Sequence, residues 1–244
     1  MKNLVIIPTY NEKENINAIV TAVMDLGGFD ILIVDDGSPD GTGQMVKELQ
    51  QQHPQQLHLI ERQGKQGLGT AYIRGFKFGI EHGYDYVFEM DADFSHDPND
   101  LVRLRNNCVD QGYDISIGSR YVKGGGFLNW PKDRIFISRG GSLYVRLITF
   151  MPIKDPTAGF ICYSTRFLEA IDLDKVGLKG YAFQIEMKYI AWSLGYNIGE
   201  IPIIFKDREL GTSKMHMGIV KEAIKGVLTL RCRNIKKYYS KQSL

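Results

Sequence analysis

The sequence predicts an α/β fold with a doubly wound, mostly parallel sheet and a C-terminal amphipathic helical segment, on three observations. Short β-branched runs alternate with helix-like stretches along the first half of the chain. That alternation implies right-handed crossovers between parallel strands. The 244 residues, 43% hydrophobic and 24% charged, are enough to bury the core of one such domain. The residues just after the runs are unusually acidic, and ligands of doubly wound sheets sit beyond the carboxyl ends of the strands.

The elements follow in order. Leu4-Val5-Ile6-Ile7 reads as a strand and Glu12 to Leu26 as a helix. Ile31 to Val34 precedes a helix from Gly41 to Gln51, and Leu57 to Ile60 precedes one from Gly67 to Glu81. Tyr86 to Met90 is the fourth strand, and Asp97 as cap with Pro98 at the first helical position opens the next helix. Ile115-Ser116-Ile117 continues the pattern. Beyond Arg120 it loosens. Gly124-Gly125-Gly126 reads as a mobile loop inside the domain. An apolar, Arg-containing stretch runs from Arg134 to Phe150, Ala182 to Leu194 is helix-like, and Ile198 to Phe205 is strand-like. No repeat, low-complexity segment or clear linker intervenes, so residues 1–216 are assigned to one domain. Residues 217–244 form a basic amphipathic segment, packed on that domain or at a membrane.

Composition narrows the function classes. The formal net charge of +2 hides an asymmetry, because residues 217–244 hold seven basic side chains (Lys221, Lys225, Arg231, Arg233, Lys236, Lys237, Lys241) and one acid, Glu222. A basic end serves nucleic acid, an anionic membrane or plain solubility. Cys108, Cys162 and Cys232 are odd in number and far apart in sequence, so neither a disulfide framework nor a zinc site is expected, and a reducing cytoplasmic compartment fits. The N-terminus does not read as a signal peptide, and no stretch approaches the roughly 20 apolar residues of a spanning helix.

The chemistry-bearing residues lie after the strands. Asp91 and Asp93, in Met90-Asp91-Ala92-Asp93-Phe94-Ser95, point to one side of an extended segment and can converge on a hard cation. Mg²⁺ or Mn²⁺ bridging a diphosphate would explain the pair; helix capping is the plainer alternative. Asp36, in Asp35-Asp36-Gly37-Ser38, is placed for a base or ribose contact, although the same residues make a good tight turn. Pro8-Thr9-Tyr10-Asn11-Glu12 offers a ring to stack on a base and a carboxylate for a ribose hydroxyl; Tyr10 could equally be ordinary packing. Gly64-Lys65-Gln66-Gly67-Leu68-Gly69 matches neither the mononucleotide nor the dinucleotide phosphate-loop pattern, but suits a glycine-rich helix start beside a nucleotide.

Taken in chain order, Pro8 to Glu12, Val34 to Ser38, Gly64 to Gly69, Asp91-Ala92-Asp93 and Gly118-Ser119-Arg120-Tyr121 closely resemble glycosyltransferase family 2, whose catalytic domain has the GT-A fold. Met90 to His96, Asp155-Pro156-Thr157-Ala158-Gly159-Phe160, Phe205 to Arg208 and Gly211-Thr212-Ser213-Lys214 look like the dolichol-phosphate mannose synthase branch of that family. The resemblance runs from Leu4 to about Arg231.

It implies a metal-dependent, inverting mannosyl transfer from GDP-mannose to a polyprenyl phosphate. Metal ligation falls to Asp91 and Asp93, with Ser95 where several relatives carry Gln. Donor contacts fall to Pro8, Tyr10, Glu12, Val34, Asp36, Lys65 and Ala92, and Arg208 and Lys214 close over the diphosphate. The acceptor phosphate is assigned to Arg120, Arg134 and Ser138, the last two four residues apart on one helix face. Gln184 and Glu186 occupy the place of a catalytic base in many relatives acting on hydroxyls, a base that a phosphate acceptor hardly needs. The alternatives are another family 2 transferase with a UDP-glucose-like donor and a nonenzymatic nucleotide-sugar or lipid-phosphate binding subunit. An NAD-dependent oxidoreductase is disfavoured because no Gly-rich turn follows the first strand. A lipid acceptor implies peripheral attachment at the cytoplasmic face of a membrane, directly or through a membrane-protein partner; nucleic acid is not an expected ligand. The apolar residues of Ile135 to Phe150, and those set among the lysines of the tail, are the candidate contacts.

Overall fold

Leu4, Val5, Ile6 and Ile7 are all fully buried, and an unbroken apolar run is what a strand covered on both faces requires. In the computed structural model, which describes residues 1–178, 180–207 and 217–241 without the side chains of 181 and 217–223, that run is the core of the first strand, β1 (Asn3–Thr9). The chain continues through α1 (Ile16–Met24), β2 (Asp30–Asp35), α2 (Thr42–Gln52), β3 (Leu57–Glu61), α3 (Leu68–Glu81), β4 (Tyr86–Glu89), α4 (Asp100–Gln111) and β5 (Ile115–Ser119). Then come β6 (Gly126–Leu128), α5 (Lys132–Thr149), β7 (Ile161–Ser164), α6 (Thr165–Ala170), α7 (Tyr181–Ser193), β8 (Ile198–Pro202), β9 (Ile204–Lys206), α8 (Met217–Cys232) and α9 (Ile235–Tyr239).

Seven strands form one sheet in the order β3-β2-β1-β4-β7-β5-β8. Pairing is parallel throughout except at β7, which runs antiparallel to both neighbours and joins the two parallel halves. Nothing in the sequence marks this strand, because three apolar residues followed by a serine are too few to show a period. β6 and β9 pair as a separate two-stranded ribbon, so the stretch read as one strand from Ile198 to Phe205 is two.

One core cluster lies on the face covered by α3 and α7 and takes in Val227, Leu230, Ile235 and Tyr239 from α8 and α9; the other holds α1 and part of α4. α3 reaches the sheet through Gly75, where a Cβ would fall 2.5 Å from Ile6. The described C-terminal residues are tied back by Asp172 N–H to Tyr239 O (2.7 Å) and Lys241 N–H to Ala170 O (3.1 Å).

Two local expectations change. Asp97 does not cap the helix directly: its carboxylate accepts from the N–H of Asn99 at 3.0 Å, and α4 starts at Asp100. The glycine triplet is held close to β5, where a Cβ on Gly125 would meet the Ser119 carbonyl oxygen at 2.5 Å, and Gly126 begins β6. Cys108 and Cys162, far apart in sequence, meet in the core as free thiols 3.6 Å apart.

Candidate active site

The carboxyl ends of β1, β2, β4 and β5 form one edge of the sheet, and the motif residues collect there. Asp35, at the end of β2, accepts from the Thr9 hydroxyl (2.8 Å), the Ser38 N–H (2.9 Å) and the Ser38 hydroxyl (2.6 Å), and so fixes the loops after β1 and β2 together. Asp36 accepts from Arg62 Nε at 2.6 Å and from the Gln66 N–H at 3.2 Å. Arg62 goes on to donate to the Gly67 carbonyl at 3.2 Å, so Asp36 organises the loop from 64 to 69 through an arginine that no motif marked. That loop brings Lys65 Nζ to 5.1 Å from the centre of the Tyr10 ring. Two expected donor residues from different loops thus meet. Glu12 accepts from Asn15 Nδ2 (3.1 Å), Pro8 stands opposite Val34 in the register, and Val34 and Ala92 are buried.

After β4 the chain turns sharply, with Phe94 at φ +57°, a left-handed conformation that costs a non-glycine residue energy. The turn folds Ser95 back so that its N–H (3.1 Å) and hydroxyl (2.6 Å) both donate to Asp93 Oδ1. Ser95 therefore orients Asp93. His96 is buried between Phe160, stacked at 4.7 Å, and Phe205. Burial lowers its pKa to about 4, and the neutral ring lies with Nδ1 3.4 Å from the Asp91 N–H.

Below this turn lies a buried polar layer that the sequence reading missed apart from Gln184. Glu89, at the end of β4, accepts from Gln184 Nε2 at 2.6 Å. Burial raises its pKa to about 8 against the opposing effect of that bond and of Lys188. Lys188 is itself fully buried, lowered by that burial to about 8, and donates to the carbonyls of Ala158 (2.6 Å) and Gln184 (3.2 Å). The only sequence signal is a lysine four residues after a glutamine in a mostly apolar helix that also holds Glu186. Glu186 points elsewhere, accepting from the N–H groups of Gly177 and Leu178 and from the Tyr239 hydroxyl (2.5 Å). It braces the C-terminal helices.

Arg120, just past β5, grips Asp155 and donates to Thr157 Oγ1 at 2.9 Å. The rings of Tyr121, Phe127 and Phe205 surround its guanidinium at 5.4 to 5.7 Å. Arg134, in the first turn of α5, lies 5.4 Å from the Trp130 ring centre and 3.4 Å from Asp207 Oδ1. Ser138, one turn on, accepts from the Tyr121 hydroxyl at 2.7 Å. The aromatic cluster of Tyr121, Phe127, Trp130 and Phe205 therefore links the two arginines and the serine. Arg208 and Lys214 lie outside the described residues.

No three His, Cys, Asp or Glu side chains form a complete metal cage among the described residues. Asp91 and Asp93 still fit Mg²⁺ or Mn²⁺: their donors are hard carboxylate oxygens, Asp93 is held by Ser95, and such ions complete their shells with substrate phosphates and water.

The model of glycosyl transferase family 2 matches residues 4–172. A polyprenol monophosphomannose synthase of Mycolicibacterium smegmatis is 47% identical over 224 residues, 91% of this chain and 84% of that protein. An undecaprenyl-phosphate mannosyltransferase of Micrococcus luteus is 46% identical over 228 residues, 93% of each. Among solved structures, the glucosyl-3-phosphoglycerate synthase of Mycobacterium tuberculosis, with Mn²⁺, UDP and glucosyl-3-phosphoglycerate, has a TM-score of 0.66 at 16% identity, covering 95% of this chain and 80% of that one. A mannosyltransferase of Pyrobaculum calidifontis, with GDP-mannose and Mn²⁺, has a TM-score of 0.56 at 16% identity, covering 94% and 69%. At that identity the structural likeness concerns the fold, which is GT-A.

Proposed function

The chain belongs to glycosyl transferase family 2, and from that premise we propose that it is an inverting hexosyltransferase carrying mannose from GDP-mannose to a polyprenyl phosphate. The observation that carries the reading is one sheet edge with a carboxylate pair suited to a diphosphate and, beside it, Arg120, Arg134 and Ser138 suited to a phosphate acceptor. The names of the two relatives given above, a polyprenol monophosphomannose synthase and an undecaprenyl-phosphate mannosyltransferase, support it.

In the reaction, a phosphate oxygen of the acceptor bonds to the anomeric carbon while the bond from that carbon to the nucleoside diphosphate breaks. Configuration inverts, and the nucleoside diphosphate leaves with the bonding pair. A divalent ion held by Asp91 and Asp93 would neutralise charge developing on that leaving group. Arg208 and Lys214 would add cationic charge on the same side. A monoester phosphate, with a second pKa near 6, is already largely dianionic at neutral pH, so the acceptor needs no deprotonation. That agrees with Glu186 being committed to Gly177, Leu178 and Tyr239. Tyr10, Lys65 and Glu12 receive the nucleoside, and Asp36 acts through Arg62 on the loop that carries Lys65.

No described helix is long and apolar enough to cross a membrane. α5, by contrast, exposes Phe136 at 79%, Leu147 at 63% and, just past its end, Phe150 at 68%. Such a face on a chain that uses a lipid substrate suits peripheral attachment at the cytoplasmic leaflet. The decisive experiment incubates pure protein with labelled nucleotide sugars and short prenyl phosphates. Mannosyl prenyl phosphate formed from GDP-mannose is expected; transfer from UDP-glucose alone would replace the donor and the sugar.

A further inference from the structure

A cavity of about 580 Å³ opens between the loop after β5 and the outer face of α5. Arg120, Lys123, Arg139, Arg146 and Lys154 all line it, with Ser142 between them and no Asp or Glu among the described residues of the wall. Arg120 is neutralised by Asp155. The other four are exposed, and among the described residues no carboxylate forms an ion pair with them; Glu200, near Lys154, is taken up by the backbone N–H groups of Lys154 (2.8 Å) and Asp155 (3.0 Å). Four like charges brought together with no ion-pair partner among the described residues repel one another and attract an anion. Arg139, Ser142, Leu143 and Arg146 sit at i, i+3, i+4 and i+7, so α5 presents them on one face.

We propose that this cavity binds the phosphate-bearing headgroup of an anionic membrane phospholipid, at a site separate from the acceptor phosphate. The rim selects a lipid over a free phosphate: Leu143 lines the cavity at 54% exposure, and Ile137, Leu147 and Phe150 of the same region are 59%, 63% and 68% exposed. From α8, Ile224 and Leu228 extend the apolar surface at 42% and 48%, and the Tyr144 hydroxyl ties α5 to α8 at Ile224 O (3.3 Å). An apolar patch beside a basic pocket matches the layering of a bilayer interface, where acyl chains meet the one and headgroups the other. Of the acceptor residues only Arg120 reaches the wall, and its guanidinium is turned to Asp155; the other two face elsewhere. Ser138 is on the Tyr121 hydroxyl, Arg134 is beside Asp207, and neither lines the cavity. Headgroup capture thus seats α5 on the membrane next to the mouth through which a prenyl phosphate must arrive.

The test measures binding of the full chain to vesicles of phosphatidylcholine and of phosphatidylcholine mixed with phosphatidylglycerol, without nucleotide sugar. The variant combines Arg139→Gln, Arg146→Gln and Lys154→Gln, all at exposed positions. At low salt its affinity for the mixed vesicles is expected to fall on the order of 100-fold, while its weaker binding to phosphatidylcholine is unchanged. Restoring Arg146 as Lys recovers part of the loss. Inorganic phosphate at millimolar concentration leaves the wild-type binding unaltered; displacement by it would make the cavity a free-phosphate site and overturn the proposal. Unchanged affinity of the triple variant overturns it too, as does an equal loss on both vesicles. A raised KM for a short, water-soluble prenyl phosphate would hand these cations to the acceptor instead. The vesicle measurement does not depend on the transfer reaction, so failure of wild-type turnover would sink the proposed activity and leave this site standing.

Discussion

Arg120 donates from Nε and Nη2 to the two oxygens of Asp155, each at 2.7 Å, with the carboxylate wholly buried and the arginine nearly so. The Arg120 N–H adds a third bond at 3.0 Å. This fork joins the end of β5 to the Asp155-Pro156-Thr157-Ala158-Gly159 turn, and Lys188 holds the same turn from below through the Ala158 carbonyl.

Removing one partner of a buried pair strands the other, so Asp155→Asn is expected to cost about 3–5 kcal/mol. Burial pushes the Asp155 carboxyl up, and the charge and hydrogen bonds of Arg120 more than offset that, leaving it below the ordinary carboxylate range. A depressed native pKa contributes stability above the unfolded value of about 4 and loses it as pH falls through the native one. The Tm gap between wild type and Asp155→Asn should be constant from about pH 5 to 7 and shrink below about pH 4. A gap that widens on acidification would contradict the pairing.

Asp91→Asn should lower turnover by orders of magnitude with little change in Tm, because the loss falls on leaving-group stabilisation rather than on packing. Asp93→Asn should match it in turnover and also lose stability, since Asp93 receives both Ser95 bonds. Full wild-type activity in excess chelator would sink the metal assignment.

The parallel part of the fold was legible because buried strands such as Leu4 to Ile7 leave a continuous β-branched signature and their loops carry motif residues. β7 was not, since Ile161 to Ser164 owes its direction to neighbours supplied by β4 and β5, a long-range pairing without local trace. The site was legible where one short motif holds the chemistry, as with Asp91 and Asp93. Arg62 and Lys188 stayed hidden because each acts on a backbone carbonyl or a carboxylate contributed by another element. Sequence places neither partner nearby. Asp36 shows the same effect, since its motif was visible and its arginine was not.

The Lys65 ammonium beside the Tyr10 ring is an exposed cation–π contact of about 0.5–1 kcal/mol, too small to hold the loop by itself. Its consequence should be read in donor binding. Lys65→Ala is expected to raise the KM for the nucleotide sugar several-fold and leave that for the prenyl phosphate alone; the reverse pattern would move Lys65 to the acceptor side.

Arg134→Ala should raise the KM for prenyl phosphate about tenfold or more with a smaller effect on the nucleotide sugar, as expected for loss of one charged hydrogen-bonding group. Arg134→Lys should recover only part, because an ammonium cannot reproduce a planar fork. Equal effects on both substrates would mean that the contacts with Asp207 and Trp130 are the whole role of this residue.

The last prediction concerns which basic region attaches the chain to a lipid surface. Lys236 and Lys237 lie on α9, whose Ile235 and Tyr239 are buried in the core, and Lys236 lines a cleft with Asp114, Arg166 and Asn197. Asp114 and Asn197 precede β5 and β8, so this cleft is at the amino ends of those strands, whereas Ser119 and Arg120 are at the carboxyl end. Five residues at about 3.3 Å each separate the two edges by about 16 Å, more than a Debye length at physiological salt. Lys236→Glu, Lys237→Glu and Lys241→Glu together should therefore weaken sedimentation with anionic vesicles only a few-fold, an effect that disappears as salt is raised. Phe136→Ser with Leu147→Ser should remove most of the attachment at every salt concentration, because it deletes apolar contact with the interface rather than screened charge. Both variants should turn over a water-soluble short-chain acceptor at the wild-type rate. If the lysine variant loses attachment as completely as the α5 variant, the tail shares the membrane plane and α9 has left its place on the core.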